Sequence, residues 1–447
     1  MFTKLHIHNY KAIGPEPLDL DLAPITILVG RSGSGKSCVL EALALTAQSA
    51  VEDPQRHDLI LSGSRLKLPI EGYQDYREPY RQICHAGSYD SPISVGFSWR
   101  EAGDGEENQT FDYRWTRKGN ESPRLDHCLG LDGSLFLRMW TDVKKTGSQG
   151  VVYTPHMEFR GKAIPDDLVR GSGADRVLSE KIVEAVRQML LNAQKSPDLE
   201  LAAASWEGTE VILEQLKTSL GGVHFLSSLR GADLMHTEPG PKVSFVGLHG
   251  ENTVRLLASI DARTRKGYKA LRRWAKEFGL PEIETGADGN QLKVVFADPH
   301  THASMDLWQA ATGSKQGLIL AAHMLLSSEG STLLVEEPDA NMHPGYEKLL
   351  PALFAESTKG NRQVLATTHS EILVAAMGNA VRKGLLKPQD VAIYHLERDE
   401  LGVRAERLDM SQKGNLAGWV KSFAEVEKDL FNEWYQELPE DGPEAGS

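Results

Sequence analysis

A single lysine, Lys36, stands at the end of a glycine-rich stretch that could bind phosphate groups. The stretch, GRSGSGKS, follows an apolar run, PITILV, that predicts a buried strand. Inward-pointing N–H groups, a helix N-terminus and a lysine together bind nucleotide phosphates, and the serine after the lysine ligates Mg²⁺. A glycine-rich loop without a ligand is the alternative, but the strand and the helix on either side favour nucleotide binding. The predicted nucleotide-binding residues are Gly30, Arg31, Ser32, Gly33, Ser34, Gly35, Lys36, Ser37 and Cys38.

Two adjacent carboxylates end a second apolar strand, in STLLVEEPDANMHP at 331–344. Neighbouring side chains of a strand point to opposite faces, so Glu336 and Glu337 can take different roles. We predict that Glu336 holds the water shell of Mg²⁺ and that Glu337 orients or deprotonates the attacking water. A solvated acidic turn is the alternative, but two glutamates at the end of an apolar strand are costly without nearby cations.

A histidine follows a third apolar strand, in RQVLATTHSEIL at 362–373. Val364 to Ala366 predict the strand, and His369 comes just after its end. An imidazole at this place can hydrogen-bond a γ-phosphate and respond to its loss. A lone histidine at a strand end is more often structural, but the two preceding motifs favour a catalytic role for His369.

The segments around these residues predict a mixed α/β protein. An apolar helix follows the glycine-rich loop at 38–45, and a Gly-Ser-Lys-Gln turn leads into a second apolar helix within 308–326. Alternating segments between 91 and 159 predict an antiparallel lobe. Amphipathic helices are predicted at 177–194 and 206–220, and their apolar spacing lasts only a few turns. The sequence therefore predicts no long coiled-coil arm.

The order of these motifs resembles that of the ABC-type ATPases of the SMC/RecF/OLD superfamily. The chain reads phosphate loop, signature turn and helix (WQAATGSKQGLILAAHMLL), acidic strand, Pro-Asp loop and Thr-His-Ser. Residues 2–30 and 224–258 are similar to parts of the smaller members. The resemblance implies the fold class: α/β, an ABC-type P-loop ATPase head with an antiparallel β lobe and a short helical insertion. It also implies ATP and Mg²⁺ as cofactors, with Glu337 and His369 as the catalytic residues.

The resemblance further implies a homodimer or a higher homo-oligomer, in which two heads sandwich two ATP molecules. Thr312 and Gly313 of one chain would cap the γ-phosphate that the other chain binds. Asp339, in the Pro-Asp loop, would communicate across the dimer.

The resemblance also implies a set of metal ligands, and the sequence departs from the family pattern at the Q-loop, at Glu336 and in the signature turn. Gln82, in YRQICHAG, is the best match to the family's Q-loop, with His85 as the alternative. The implied ligands of Mg²⁺ are therefore Ser37, Glu336 and Gln82. Glu336 stands where an aspartate is commoner, and Ala311 stands where the signature usually has a serine.

Five segments are predicted along the chain. They are 1–90, the N-terminal part of the ATPase head with the phosphate loop; 91–175, the antiparallel β lobe; 176–290, a helical insertion; 291–410, the C-terminal part of the head with the signature, the acidic strand and the histidine; and 411–447, a C-terminal helix with an acidic tail.

Composition limits the kinds of partner. The formal net charge of the 447 residues is −13, which disfavours a surface covered by nucleic acid, and the three scattered cysteines indicate a reducing compartment. The most apolar stretch, 317–326, is about half as long as a membrane span, so we predict a cytoplasmic protein without membrane contact.

Basic residues crowd the segment from Arg263 to Lys276. A solvated helix face is the preferred interpretation of this segment, and a local surface that binds DNA or RNA phosphates is the alternative.

The segment after His369 bears on the biological role. Members with a fused nuclease carry a Toprim domain there, whereas residues 391–410 predict a β-hairpin. Heads without their own effector resemble the ATPase subunits of two-component anti-phage systems such as Septu and PARIS. The leading interpretation is a sensor or regulatory ATPase that acts with a separately encoded nuclease effector. Two alternatives stay open: a RecF-like repair ATPase that binds DNA ends or gaps, and a scaffold that turns ATP over slowly.

Overall fold

A mainly parallel sheet forms the centre of the fold. The computed structural model describes residues 1–50, 84–85, 91–100, 215, 218–231, 237–259, 267–417 and 432, together with the backbone of strands between 109 and 164. In these residues a six-stranded sheet, an eight-stranded sheet and a three-stranded sheet are present. The predicted mixed α/β class is therefore confirmed.

The elements are numbered here in chain order. The strands are β1 (Phe2–His8), β2 (Leu18–Asp21), β3 (Ile25–Val29), β4 (Ile93–Trp99), β5 (Gln109–Thr116), β6 (Arg124–Leu131), β7 (Ser134–Lys145), β8 (Val151–Phe159), β9 (Lys162–Ile164), β10 (Val223–Leu226), β11 (Glu284–Asp288), β12 (Gln291–Ala297), β13 (Ser304–Asp306), β14 (Thr332–Glu336), β15 (Gln363–Thr368), β16 (Val391–Asp399) and β17 (Gly402–Leu408). The helices are α1 (Lys36–Ala50), α2 (Thr253–Ala258), α3 (Gly267–Glu277), α4 (Thr312–Leu326), α5 (Pro344–Glu347), α6 (Leu350–Lys359) and α7 (Glu371–Arg382).

The order of the central sheet brings the predicted functional segments to one edge. The strands lie in the order β10-β14-β15-β3-β16-β17, and all the pairings are parallel except that of β16 with β17. Glu336 pairs with Thr367, and Thr368 pairs with Val29, so β14, β15 and β3 end at the same level. The loops that follow these three strands are therefore neighbours.

Both faces of the central sheet are covered, which explains why its strands are apolar throughout. On one face, Leu28 and Leu334 pack with α1 and the first strands of the eight-stranded sheet. On the other face, Ile27 and Val335 pack with α3, α4, α6 and α7. The central strands and the helix after the glycine-rich loop were predicted correctly.

The predicted antiparallel lobe is part of the eight-stranded sheet, whose order is β2-β1-β4-β5-β6-β7-β8-β9. Strand β6 was not predicted, because RLDHCLGL mixes charged and apolar residues without clear alternation. Strand β1 pairs with β4 along most of its length, from Phe2 opposite Trp99 to His8 opposite Ser94. The sheet therefore continues across the predicted boundary at residue 90.

Two further predictions can be compared with the described residues. The hairpin at 391–410 is confirmed, because β16 and β17 pair in antiparallel fashion. The turn predicted before the signature helix is wrong, because Gly313 to Gln316 already lie in the first turns of α4. The longest described helices, α1 and α4, have 15 residues each, so the described part of the chain contains no long coiled coil.

Other predicted segments lie outside the described residues: Gln82, the helix at 177–194, most of the helix at 206–220, and the chain after residue 417 apart from residue 432. Among the helices that are described, none is both long enough and apolar enough to cross a membrane.

Candidate active site

The glycine-rich loop joins the central strand β3 to α1 and curls around the lysine ammonium. Lys36 is the first residue of α1 and is buried. Its Nζ donates hydrogen bonds to the carbonyl oxygens of Gly30, at 2.9 Å, and Arg31, at 2.8 Å. Both acceptors are neutral, so phosphate oxygens would be stronger partners for this cation.

The shape and the polar groups of the loop fit a phosphate chain. Gly35 has a φ of +93°, and a Cβ at this position would lie 2.5 Å from Val403 Cγ2, so a larger residue would not fit. Gly33, with a φ of +80°, has no atom within 4 Å of the Cβ position, which leaves open space in front of the loop. The Ser34 hydroxyl is buried without a hydrogen-bond partner, and Ser37 is exposed beside the loop. The loop therefore fits the phosphate chain of a nucleoside triphosphate, and Ser37 is accessible to a metal ion.

Burial lowers the pKa of Lys36 to about 8, although the nearby carboxylate of Glu337 acts in the opposite direction. Near pH 8, a smaller fraction of the Lys36 side chain is therefore protonated than of an ordinary lysine side chain. An anionic ligand would stabilise its charged form and raise this pKa.

The two adjacent carboxylates point in different directions from the end of β14. Glu336 Oε2 lies 3.4 Å from both Ser227 Oγ and the backbone N–H nitrogen of Ser228. Glu337 Oε1 lies 3.4 Å from His369 Nε2. The two carboxylates therefore have different orientations, as predicted. The cause is not the predicted alternation of side chains along a strand. Glu337 has already left the strand and has a left-handed φ of +41°.

The backbone of Glu337 is fixed by the neighbouring strand. Its N–H donates to the carbonyl oxygen of Thr367, at 3.0 Å, and approaches Thr367 Oγ1, at 3.2 Å. A left-handed conformation is unusual for a residue with a Cβ and persists where the surroundings impose it. The conformation turns the carboxylate toward the glycine-rich loop and the histidine.

His369 completes this group at the end of β15. Burial and the positive charge of Lys36 lower the pKa of the imidazole, while Glu337 acts in the opposite direction. The ring is therefore mainly neutral at pH 7, and one nitrogen can donate while the other accepts. Lys36, Glu337 and His369 thus converge at one edge of the sheet.

Asp339 lies in the turn after Glu337, and the signature residues Thr312 and Gly313 lie in the first turn of α4. Asp339 Oδ1 accepts a hydrogen bond from Thr368 Oγ1, at 2.6 Å, and burial raises the pKa of its carboxyl group. Thr312 is exposed at the first position of α4. A Cβ on Gly313 would lie 2.9 Å from the carbonyl oxygen of Asn341, so this glycine permits close packing within its own chain.

Cys38 and His85 have contacts with the turn after β1 instead. The Cys38 thiol is mostly buried and accepts a hydrogen bond from the backbone of Ala12. His85 Nδ1 lies 3.0 Å from the carbonyl oxygen of Lys11, and its backbone N–H donates to Asn9. Neither side chain has a contact with Lys36, Glu337 or His369 among those in the described residues.

Sequence reasoning missed the loop after β10, which lies against the two carboxylates. Ser227 and Ser228 approach Glu336, and the guanidinium of Arg230 donates to the backbone of the carboxylate turn. A signal was available, since the polar run SSLR follows the apolar strand VHFL. The carboxyl end of another parallel strand belongs at the same edge as the other motifs.

Two sequence families match parts of the chain. Residues 224–375 match the family described as "AAA domain, putative AbiEii toxin, Type IV TA system", and residues 4–118 match a family described as "AAA domain". The first match includes Arg230, Glu337 and His369, and the second includes the glycine-rich loop. A search of curated proteins found no match.

The chain is also similar to solved SMC heads. One is the SMC head domain from Thermotoga maritima, with a TM-score of 0.41 and 12% identity over 91% of this chain and 98% of that chain. Another is an SMC head bound to the C-winged helix domain of ScpA, with a TM-score of 0.45 and 12% identity over 92% and 98% of the two chains. A third is an SMC head with an extended coiled coil, bound to the C-terminal domain of ScpA derived from Pyrococcus furiosus, with a TM-score of 0.38 and 11% identity over 97% and 99%.

The class of protein follows from the site and the family matches. A phosphate loop, an acidic strand end and a strand-end histidine meet at the edge of one parallel sheet, and both matched families are AAA domains. Together they support an ATP-binding domain of the ATPase type.

Proposed function

We propose that this chain binds ATP with Mg²⁺ and hydrolyses it. The observation that carries the proposal is the convergence of Lys36, Glu337 and His369 at the ends of adjacent strands. Lys36 and the loop N–H groups would hold the β- and γ-phosphates. Glu337 would orient the attacking water, and His369 would hydrogen-bond the γ-phosphate.

The metal ion would be held by few protein ligands, as is usual for Mg²⁺ at nucleotide sites. Ser37 is exposed next to the loop, and Glu336 ends β14, which β15 separates from β3. We assign these two residues to the metal, with Gln82 as a third ligand. Bound Mg²⁺ would neutralise charge that develops on the phosphates.

The test is phosphate release by the purified chain with Mg²⁺ and ATP. Wild type should release phosphate, and Lys36→Ala should release none, because the loop loses its mobile cation. Calorimetry should show that Lys36→Ala no longer binds ATP. Full-affinity ATP binding by Lys36→Ala would contradict the site.

Hydrolysis would take place between two copies of the chain. Thr312 is exposed at the start of α4, so it is accessible to the nucleotide of a second chain. Arg31, Ser32 and Gly33 are exposed on the phosphate loop, so a second chain can approach from that side. Asp339 would contribute through the loop that it stabilises beside Thr368.

The proposed biological role is that of a sensor or regulatory subunit that acts with a separately encoded nuclease. The hairpin β16–β17 follows α7 where nuclease-fused relatives carry their Toprim domain. The description of the family matched at 224–375 names a toxin of a toxin–antitoxin system, which consists of two partners. Both observations fit a head that works with another protein.

Co-purification and cleavage assays test this role. A tagged chain should co-purify with the product of an adjacent gene, and DNA or RNA cleavage should require that partner. Cleavage by the highly purified chain alone, abolished by a point substitution in this chain, would contradict the role.

A RecF-like role in binding DNA is the second candidate. The observation that favours it is the exposed basic face of α3, where Lys269, Arg272 and Lys276 are all accessible. The third candidate, a slow-turnover scaffold, would be favoured if wild type bound ATP tightly and released almost no phosphate.

A further inference from the structure

Arg230 is a buried cation next to the turn that carries the two carboxylates. Arg230 lies in the loop after β10 and has a relative exposure of 4%. Burial lowers the pKa of Arg230 to about 10, while Asp339, Glu337 and Glu336 favour the charged form. The guanidinium is therefore charged at pH 7, inside the protein, beside the turn that carries the acidic residues.

The guanidinium binds three successive carbonyl groups of that turn. Its Nη1 donates to Glu336 O, at 2.8 Å, and its Nη2 donates to Glu337 O, at 2.9 Å, and Pro338 O, at 3.0 Å. A planar fork with several donors can serve three acceptors at once, which a single ammonium cannot do with the same geometry.

These contacts fix the conformation of Glu337. The carbonyl of Glu336 belongs to the peptide plane before the Glu337 Cα, and the carbonyl of Glu337 belongs to the plane after it. Because peptide units are planar, holding both carbonyls holds φ and ψ of the residue between them. The residue held in this way has the unusual φ of +41°, and this φ directs its carboxylate toward His369.

Arg230 is itself anchored to the helix that carries the signature residues. Gln316 Nε2, in the second turn of α4, donates to Arg230 O at 2.7 Å. The next residue, Gly231, packs against Ile319 of α4, and its N–H donates to His249 O at 2.9 Å. Arg230 and its hydrogen bonds to the carbonyl groups of Glu336, Glu337 and Pro338, called the clamp from here on, therefore connect α4 to the carboxylate turn.

We infer that Arg230 is a positioning residue for ATP hydrolysis, which fixes the backbone of Glu336–Pro338 and thereby aims the Glu337 carboxylate at the attacking water. The inference rests on the proposed hydrolysis at Glu337. Arg230 acts through Glu337 and has no contact with nucleotide in this role, so its loss should affect turnover far more than ATP binding.

The test compares Arg230→Met and Arg230→Lys with Arg362→Met. Arg362 is a matched control, because it also donates to backbone carbonyls, those of Ser327, at 2.8 Å, and Leu325, at 3.2 Å. Arg230→Met should lower kcat roughly 10²-fold through misplacement of the carboxylate, with the Kd for a non-hydrolysable ATP analogue changed by less than about threefold. Arg230→Lys should fall between this variant and wild type. Arg362→Met should keep the wild-type kcat.

A double-mutant comparison separates positioning from a general structural effect. In a Glu337→Gln background, Arg230→Met should reduce the residual single-turnover rate by no more than about twofold, because residues that act as a unit are not additive. An equal loss in both backgrounds would overturn the inference. A wild-type kcat in folded Arg230→Met would overturn it too, as would a wild-type kcat in Arg230→Lys if the methionine variant does not fold.

Hydrogen exchange gives a readout that does not depend on hydrolysis. The Glu337 N–H bonds to Thr367 O, so its exchange should be faster in the Arg230 variants than in Arg362→Met. Unchanged exchange at 336–339 would contradict the clamp. Failure of the proposed function would look different, because wild type itself would then release no phosphate while the exchange result could still hold.

Discussion

Lys36 combines two properties that a phosphate-binding cation needs. It lies at the N-terminus of α1, and its ammonium is held by two neutral carbonyl oxygens that a phosphate can replace. Burial lowers its pKa to about 8, so the free protein begins to lose this charge just above neutral pH. Bound phosphates would stabilise the charged form, so binding and protonation should be linked.

The linkage predicts a pH-dependent affinity for ATP. At a pH of about 9 most free Lys36 would be neutral, so ATP binding should take up a proton, and Kd should be up to about tenfold weaker than near pH 7.5. Calorimetry in buffers of different ionisation enthalpy measures both quantities. Lys36→Arg is the control, because its guanidinium stays charged and should show no proton uptake. Equal Kd values at both pH values, without buffer dependence, would contradict the prediction.

The site residues differ in how far the sequence could predict them. Lys36, Glu337 and His369 follow apolar strands within short recognisable motifs, and the structure brings them together. Arg230 is 106 to 108 residues away from the carbonyls that it binds. A contact between a side chain and a distant backbone leaves no periodic pattern in the sequence, so only the fold reveals it.

At the scale of elements, the basic helix α3 has two different faces. Leu271, Trp274 and the following Phe278 are buried, while Arg272 is exposed. Arg273 forms a salt bridge with Glu356, which also accepts a hydrogen bond from Trp274 Nε1 at 2.7 Å. One of the basic residues is therefore engaged within the chain, and Arg263, Arg265 and Lys266 lie outside the described residues.

Charge reversal on α3 should separate these faces. Arg273→Glu places a carboxylate beside Glu356 and should lower the free energy of unfolding by up to about 1 kcal/mol, since the pair is partly exposed. Arg272→Glu, on the same helix, should change it by less than about 0.5 kcal/mol. Urea unfolding measures both. A stability loss in Arg272→Glu as large as that in Arg273→Glu would contradict this assignment of faces.

The same variants address nucleic acid. If the exposed face is only solvated, Arg272→Glu should leave DNA and RNA binding unchanged. A weaker affinity, with a shallower salt dependence, would favour the alternative that this face binds phosphates.

Local elements were predicted better than the pairings between them. Apolar strands and the β16–β17 hairpin depend on neighbouring residues, and they were correct. The pairing of β1 with β4 joins segments that are far apart in the chain, and no local pattern specifies it. The start of α4 was missed because Gly-Ser-Lys-Gln resembles a turn, whereas close packing of Gly313 against Asn341 favours the helix there.

At the scale of the whole molecule, the proposed dimer depends on α4 acting on the nucleotide of a second chain. Gly313 is a poor probe for this, because a side chain there would contact Asn341 of its own chain. Thr312 is exposed, so a substitution there should leave the fold of its own chain intact.

Thr312→Glu should bind ATP but be inactive alone, since its carboxylate would face the γ-phosphate held by the partner. Mixed with Lys36→Ala chains, it should form heterodimers with one intact composite site, and partial phosphate release should return if one site suffices. Thr312→Ser is the control and should stay active. Wild-type turnover by Thr312→Glu alone would contradict a site shared between two chains.

The most direct test of the central claim is the turnover of Glu337→Gln. The amide keeps the shape of the side chain and loses the negative charge that orients or deprotonates water. We expect Glu337→Gln to bind ATP with wild-type affinity, to lower kcat roughly 10²-fold or more, and to accumulate as an ATP-bound dimer in light scattering. The turnover of Glu336→Gln, measured in the same assay, should depend more strongly on the Mg²⁺ concentration than the turnover of Glu337→Gln. A wild-type kcat in Glu337→Gln would show that another group activates the water, and it would contradict the account of this site.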